Sequence, residues 1–332
     1  MLKLNGDYVI FVVDGGMGKV IQSTVVLRGI KKKYPEKQII VLCGYPNLLK
    51  LNPNKDEVYL FGSTPHFYDH FIAGGKSIPL RAEPYFHPDY LTKKKHLTEC
   101  WCEMLDVPFD NPIPDFYLTK AEDRDALDFI RSKDGPVFLT QFVGGPPPQV
   151  DEKGQIVQMP PKMYVRSLPS KIVQGVCSDM KEEGYFPMVM CAPSQPLWEG
   201  VERISYPIRQ SLALIKHSHK LLFIDSVGQH VAAALGKKAV VCWAGTSPDC
   251  LGYAMHTNLR QQECETPECH RPNSFFFDMT TVGQWECPYG EPCVENYDQQ
   301  DILDALHGLC GGVAPLGAEG GAVVEEKKAI DG

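Results

Sequence analysis

Three stretches of the sequence combine residue types at spacings that suit chemistry. Asp14-Gly15-Gly16-Met17-Gly18-Lys19 sets a carboxylate and an amine at the two ends of a glycine-rich loop. Glycines there let backbone and ligand approach closely, and a helix opening at such a loop favours negative charge. The pattern is neither Gly-x-Gly-x-x-Gly nor a P-loop, so by itself it marks a strand-to-helix turn. Asp225-Ser226-Val227-Gly228-Gln229-His230 lies between an apolar run ending at Ile224 and a small-residue segment ending at Gly236. Free N–H groups at Ser226, Val227 and Gly228 suit a phosphate. Gly245-Thr246-Ser247-Pro248 follows the next apolar run. Loops at the carboxyl ends of adjacent strands are where open α/β sheets bind ligands.

The third stretch is a set of cysteines, part of twelve in the chain. Cys43, Cys177, Cys191 and Cys242 fall in apolar patterns and read as buried thiols behaving as small hydrophobes. Cys264 and Cys269 are separated by four residues, Cys287 and Cys293 by five, and a 17-residue loop joins the pairs. In a reducing compartment that spacing suggests a structural four-cysteine site for zinc or iron, with His270 able to replace one ligand. Free cysteines in a surface loop are the alternative. A closed shell of four thiolates leaves no open position, so no catalytic metal is expected.

The elements that must position these residues alternate. Tyr8 to Val13 is a continuous β-branched apolar run, the pattern of a buried parallel strand. Lys19 to Lys33 carries apolar residues that fit a helix on a sheet, stopped by Tyr34-Pro35. Strands at Gln38 to Cys43 and Glu57 to Phe61, with a short helix at Asn47 to Leu51, complete a β-α-β-α-β unit. Residues 62 to 92, rich in Pro, His, Tyr and Gly, give no clear element. A helix is predicted over Lys94 to Leu105, a proline-marked linker at Pro108, Pro112 and Pro114, then a helix at Glu122 to Ser132 and a strand at Val137 to Phe142. Gly144 to Lys162 reads as an inserted loop with a Glu-Lys-Gly turn that would close a short hairpin. A second doubly wound unit follows. It has helices at Leu168 to Glu183, Ser211 to His217 and His230 to Leu235, and strands at Pro187 to Cys191, Leu221 to Ile224 and Ala239 to Trp243. Gly311 to Gly332 has little to pack and reads as a flexible tail.

Composition narrows the class. The 332 residues suffice for two domains, and 43 % hydrophobic content supports a sizeable core. A net charge of −8 argues against broad nucleic-acid binding. The basic runs Lys31 to Lys33 and Lys93 to Lys95 read as solvated helix faces. No targeting segment is read at the N-terminus, and no stretch approaches the roughly 20 apolar residues that span a bilayer. A cytoplasmic enzyme is the expectation. An NAD-dependent dehydrogenase is disfavoured, because neither half carries Gly-x-Gly-x-x-Gly with an acidic residue about 20 positions on.

Asp-Ser-x-Gly-x-His-x-Ala-Ala-Ala-Leu-Gly-Lys from Asp225 to Lys237, a strand, then Gly-Thr-Ser-Pro from Gly245 resembles the donor-binding signature of glycosyltransferase family 9, the heptosyltransferase-like glycosyltransferases. Gly16-Met17-Gly18 with Val20-Ile21, Thr24 to Lys31 and Tyr34-Pro35 resembles that family's first loop and helix. Asn52 to Val58, His96 to Leu105 and Arg166-Ser167-Leu168-Pro169 resemble further segments in order, the last with Leu168 where the family has Trp. The resemblance spans about residues 5 to 305. It implies a GT-B fold, an α/β architecture of two Rossmann-like domains facing across a cleft: an N-terminal acceptor-side domain, 1–120, and a C-terminal nucleotide-sugar domain, 121–310, with a Cys-rich insertion at 264–293.

The resemblance also implies an inverting transfer from a nucleotide-diphosphate sugar, ADP-heptose or another, to the hydroxyl of a glycan, a protein or another acceptor. Ser226, Val227 and Gly228 would hold the diphosphate, with Gly16 and Gly18 lining the opposite lip. Asp225 would bond a sugar hydroxyl, Arg166 would neutralise phosphate charge, and Thr246 would line the nucleotide or phosphate pocket. His230 would either touch the donor or orient the loop. Some relatives resembling protein O-heptosyltransferases carry a metal-holding cysteine finger in the region of 264–293. One departure matters. The family's first loop ends Gly-Asp, the proposed base, where this chain has Lys19. A protonated lysine is a poor base and suits a phosphate clamp. Asp14 is then either the base or a turn cap. This departure favours a second class, a nucleotide-sugar-binding protein without turnover; a third and more distant one is a sugar-nucleotide epimerase of GT-B form, which would act without an acceptor.

Overall fold

In the computed structural model, residues 8–73, 77–144, 149–150, 156–158, 166–191, 197–261, 263–270, 292–309 and 323–324 are described. The chain forms two compact units, residues 1–120 with 321–332, and residues 121–320.

The first unit opens with β1 (Tyr8–Val13), α1 (Met17–Lys33), β2 (Gln38–Cys43) and, after a 3₁₀ turn at Pro46–Leu49, β3 (Glu57–Leu60). A fourth strand, β4 (Ser77–Leu80), pairs in parallel with β1, giving the all-parallel order β3-β2-β1-β4. β1 is buried almost throughout, as a strand covered on both faces must be. α1 lies on the sheet through Val20, Ile21, Val25, Val26 and Ile30. At Gly29 a Cβ would strike the Pro108 carbonyl and Val107, so only glycine admits this approach of α1 to the following segment. Lys31 to Lys33 close the last turn of α1, where cations oppose the helix dipole. They are not all free surface, since Lys33 bonds Asp106 at 2.8 Å and Lys32 bonds Asp110 at 3.2 Å.

Residues 62 to 92, left without elements on sequence grounds, contain β4, a single π-helical turn at Tyr68–Ile72 and the short helix α2 (Pro88–Leu91). Pro79 hides the strand from a pattern search, yet a proline is tolerated in β4 because it is an edge strand. The helix predicted from Lys94 begins later, as α3 (Leu97–Met104), because the His96 side chain caps it, Nδ1 accepting from the Thr98 amide at 3.3 Å. β5 (Leu118–Thr119) ends this part of the chain.

In the second unit α4 (Lys120–Arg131) leads into β6 (Val137–Thr140). β7 (Gln149–Val150) and β8 (Ile156–Gln158) pair antiparallel in the predicted insertion, whose Glu152-Lys153-Gly154 turn lies outside the described residues. There follow α5 (Ser170–Glu182), β9 (Phe186–Met190), β10 (Glu202–Ile204), α6 (Ile208–His217), β11 (Lys220–Ile224), α7 (Val227–Ala234), β12 (Val240–Trp243), α8 (Pro248–Leu251), β13 (Thr257–Arg260), α9 (Pro292–Glu295) and α10 (Gln299–Gly308). The sheet order is β10-β9-β6-β11-β12-β13, every pair parallel. Counted within the unit this is 3-2-1-4-5-6, the doubly wound order. Its core joins Phe138, Phe142, Val173, Val176, Met180 and Leu222 with Ile302 and Leu306 of α10. Buried Lys220 donates to the carbonyls of Leu306 and Leu309 at 2.6 Å each and so satisfies the end of α10.

β10, β13 and α10 were not expected from sequence. β10 and β13 are edge strands with polar residues, Glu202-Arg203 and Thr257-Asn258, and show no apolar run. The helix expected from His230 begins at Val227, since Ser226 is its extended N-cap. Of the predicted tail, β14 (Val323–Val324) pairs in parallel with β5; the rest of 311–332 lies outside the described residues.

Candidate functional site

In the second unit the strand order reverses between β6 and β11, the place where doubly wound sheets bind ligands. Asp225 and Ser226 leave the end of β11 and α7 starts at Val227. The Ser226 side chain makes no capping bond to α7. Asp225 is 5 % exposed. Its Oδ2 accepts from the Thr246 hydroxyl at 2.9 Å and stands 3.6 Å from Arg166 Nη1. Arg166 is held by its neighbours: the Leu168 amide donates to the Phe142 carbonyl at 2.9 Å, and the Gly144 amide to Ser167 Oγ at 3.0 Å. Leu168 is buried in the core of the unit.

The structure thus brings together Arg166, Asp225, Ser226, Val227, Gly228 and Thr246. Among the described residues, Ser226 Oγ and Arg166 Nε are buried without a hydrogen-bond partner. Buried polar groups are ordinarily satisfied, so two orphaned donors beside a helix N-terminus fit an anion that completes them. Sequence reasoning missed Gln141. It follows β6, and its Oε1 accepts from the Gly228 amide at 3.3 Å. Only the parallel pairing of β6 with β11 reveals it; nothing in its local sequence does.

His230 follows in α7. It is 3 % exposed, with Nδ1 2.8 Å from the Tyr253 hydroxyl, and the Tyr253 ring packs edge-on to both His230 and His256. His256 Nε2 lies 3.0 Å from the Gln229 carbonyl. Burial pushes the imidazole of His230 down to about 3 and that of His256 to about 4. Both rings are neutral at pH 7, and the geometry is that of a group that positions α7 from behind.

In the first unit the order reverses between β1 and β4. Gly16 is the N-cap of α1, its carbonyl accepting from the Val20 amide at 3.1 Å, and Gly18 lies in the first turn. Gly15 adopts φ +103°, a conformation that favours glycine. The loop's two charged residues face the segment after β4. Arg81 donates to Asp14 Oδ2 through Nε at 2.9 Å and Nη2 at 2.8 Å. Lys19 Nζ donates to both oxygens of Glu83, at 2.8 and 2.7 Å. The Lys19 side chain is 5 % exposed, and its ammonium lies 5.1 Å from the Tyr85 ring centre and 5.3 Å from that of Trp101. Burial pushes its pKa below the usual lysine value, against the opposing pull of Glu83. Lys19 is therefore an internal ion-pair partner, a geometry that suits neither a free base nor an open phosphate clamp.

Cys269 Sγ lies 4.0 Å from the Gly245 carbonyl, and Cys293 packs against Ala244, so both cysteines reach the loop that follows β12. Cys264 is half-buried on the segment before Cys269. The fourth predicted ligand, Cys287, lies outside the described residues, as does most of the insertion. Among the described residues, the His, Cys, Asp and Glu side chains that bring three ligand atoms within 4.8 Å of one another are His87, Asp89 and Glu103. There Lys95 already supplies the cation, at 2.9 Å from Asp89 and 2.7 Å from Glu103.

No protein-family model matches the sequence, and no curated protein matches it. Solved structures do. A glycosyltransferase family 9 protein from Veillonella parvula is 16 % identical, with 91 % of this chain and 96 % of that one covered and a TM-score of 0.64. The ADP-heptose lipopolysaccharide heptosyltransferase II of Escherichia coli is 12 % identical over 90 % of this chain and 97 % of that one, with a TM-score of 0.61. The iron-containing dodecameric glycosyltransferase TibC of enterotoxigenic E. coli is 12 % identical over 91 % and 76 %, with a TM-score of 0.62. With two parallel α/β units, this chain has the fold of these heptosyltransferase-like GT-B glycosyltransferases.

Proposed function

We propose that the protein is a glycosyltransferase that moves a sugar from a nucleotide-diphosphate donor to an acceptor hydroxyl, with inversion. The observation that carries this reading is the turn from Asp225 to Gly228 at the switch point of the second sheet, with the orphaned Ser226 Oγ and Arg166 Nε beside it. The amides of Ser226 and Val227 and the Arg166 guanidinium would hold the diphosphate. Asp225 would take a sugar hydroxyl, and Thr246, bonded to it, would fix its rotamer. Gly228 would join the phosphate cradle once Gln141 releases its amide. As the leaving diphosphate gains charge, these fixed donors stabilise it. Gly16 and Gly18 would line the lip of the acceptor-side domain. The acceptor is a glycan, a protein or another hydroxyl compound, and ADP-heptose, bound by one of the structural relatives, is the first donor to test.

A thermal-shift screen with ADP-heptose, UDP-glucose and GDP-mannose tests the donor site, because a ligand of the folded state raises its apparent stability. No shift with any of them would remove the assignment. The second reading, binding without turnover, is favoured by Lys19, which is occupied by Glu83. Release of nucleoside diphosphate separates the two.

The thiolate site is also proposed as structural. Cys264, Cys269, Cys287 and Cys293 would hold zinc or iron; in support, Cys269 touches Gly245 and Cys293 touches Ala244, both after β12. Such a metal would brace the loop that carries Thr246, with no part in the transfer. Elemental analysis of the purified protein decides it, and protein with reduced cysteines and no stoichiometric metal would refute it.

A further inference from the structure

Trp198 is an aromatic side chain at the ligand-binding edge of the second sheet. It follows β9, in a turn where the Val201 amide donates to the Trp198 carbonyl at 3.2 Å. β9 pairs in parallel with β6, and β6 with β11, so this turn shares one edge of the sheet with Asp225 and Ser226. The indole packs on Phe142, with ring centres 5.2 Å apart and planes inclined at 39°. Phe142 is 1 % exposed and belongs to the core, whereas Trp198 is half-buried. A fixed ring therefore backs the indole, and part of the indole meets solvent. Phe142 also ties Trp198 to the diphosphate end of the site. Its carbonyl accepts from the Leu168 amide, two residues from Arg166, and its neighbour Gln141 accepts from the Gly228 amide. Across the switch point, Gly245, Thr246 and Ser247 after β12 are buried, and so is Tyr253. A base attached to a diphosphate at the Ser226 turn thus meets a partly open ring on the β9 side.

We propose that Trp198 is the platform on which the nucleobase of the donor stacks, with the diphosphate at Arg166 and the Ser226 turn. Stacking on an aromatic side chain suits every base, because each has a π-face, and it reads no hydrogen bonds. A purine covers more of the indole than a pyrimidine does. Trp198 therefore ranks purine nucleoside diphosphates above pyrimidine ones and does not separate adenine from guanine.

This inference rests on the transferase reading for the place of the diphosphate, and its test keeps the two apart. ADP, GDP, UDP and ribose 5-diphosphate, which is ADP without its base, are titrated calorimetrically into the parent, Trp198→Phe and Trp198→Ala, each below its melting midpoint. The parent is expected to bind ADP and GDP about tenfold more tightly than ribose 5-diphosphate, with UDP between them. Trp198→Ala should lose that advantage while binding ribose 5-diphosphate as the parent does. Trp198→Phe keeps a ring on Phe142 and should retain most of it. Trp101 and Trp243 are fully buried, so ADP should quench the indole emission of the parent and largely spare that of Trp198→Phe. A parent that binds ADP no more tightly than ribose 5-diphosphate would overturn the assignment. So would a Trp198→Ala protein whose preference for ADP stays within about twofold of the parent's, an equal loss of ADP and ribose 5-diphosphate, or equal quenching in the parent and Trp198→Phe. Failure of all four ligands to bind the parent overturns the transferase reading instead.

Discussion

Thr246 donates its hydroxyl to Asp225 Oδ2 at 2.9 Å, linking the loops that follow β12 and β11. One oxygen of a buried carboxylate is thus engaged, and the carboxylate is held for whatever its other oxygen meets. The matching arrangement in the first unit is charged throughout, with Asp14 on Arg81 and Lys19 on Glu83. Each unit places its paired polar residues at the point where its strand order reverses.

Asp225→Asn keeps the shape of the side chain and removes the charge facing Arg166. If Asp225 binds a sugar hydroxyl, affinity for the nucleotide sugar should fall about tenfold, or about 1.4 kcal/mol. The nucleoside diphosphate without its sugar should bind as before. Calorimetric titration of both ligands checks this. Tighter binding of the nucleotide sugar would mean that Asp225 only repels the phosphates.

Glu83→Gln should lower the thermal midpoint, because it leaves the Lys19 ammonium 5 % exposed and without its anion. Loss of one partner of a fully buried pair costs about 3–5 kcal/mol. Glu83 is a quarter exposed, so screening reduces the expected loss to about 2 kcal/mol. Lys19→Met/Glu83→Gln should recover most of it, since the lone buried charge is gone. Denaturant unfolding of the three proteins is the measurement, and a double variant no more stable than the single one would contradict the account.

The buried histidines set an acid limit. The folded-state values of His230 and His256, about 3 and about 4, lie below the ordinary 6.5. The unfolded chain therefore binds protons that the folded chain refuses. Their contribution is fully present above about pH 6.5 and is lost as pH falls towards 4 and then 3. Each group steepens the loss by up to about 1.4 kcal/mol per pH unit. His230→Gln, which keeps a partner for Tyr253, should flatten the profile below pH 6. An unchanged slope in denaturant titrations at pH 4.5 to 7 would show that the ring charges freely.

Much of this was legible in the sequence, for a physical reason. A strand buried on both faces must be apolar throughout, so β1, β2, β6, β11 and β12 announce themselves, and the Asp225 to Gly236 segment declares a turn and a close-packed helix. Edge strands carry no such demand. β4 tolerates Pro79, and β10 and β13 carry charged and polar residues, so all three were invisible. The misread chemistry has the same root. Lys19 looked like a free amine because its partner Glu83 lies 64 residues away on the unseen β4 segment. Gln141 was missed because its bond to Gly228 exists only across the β6–β11 pairing.

Gly228 allows a test of how tightly the α7 N-terminus is set. A Cβ there would meet two carbons of the Phe223 ring at 2.8 Å and Gln141 Oε1 at 3.1 Å. Gln141 can swing aside, but Phe223 is fully buried in β11 and cannot, so the helix start must move away from the strand. Such overpacking costs about 1–3 kcal/mol. The same shift carries the Ser226 and Val227 amides off their places, so Gly228→Ala should weaken donor binding more than its stability loss explains. Gly308→Ala, at the end of α10, where an added Cβ meets nothing within 4 Å, is the control: it should leave donor binding unchanged and raise stability by about 1 kcal/mol at most. Melting curves with and without ADP-heptose give both quantities. A Gly228→Ala protein that melts lower yet shows the full donor-induced shift would separate α7 packing from the donor site.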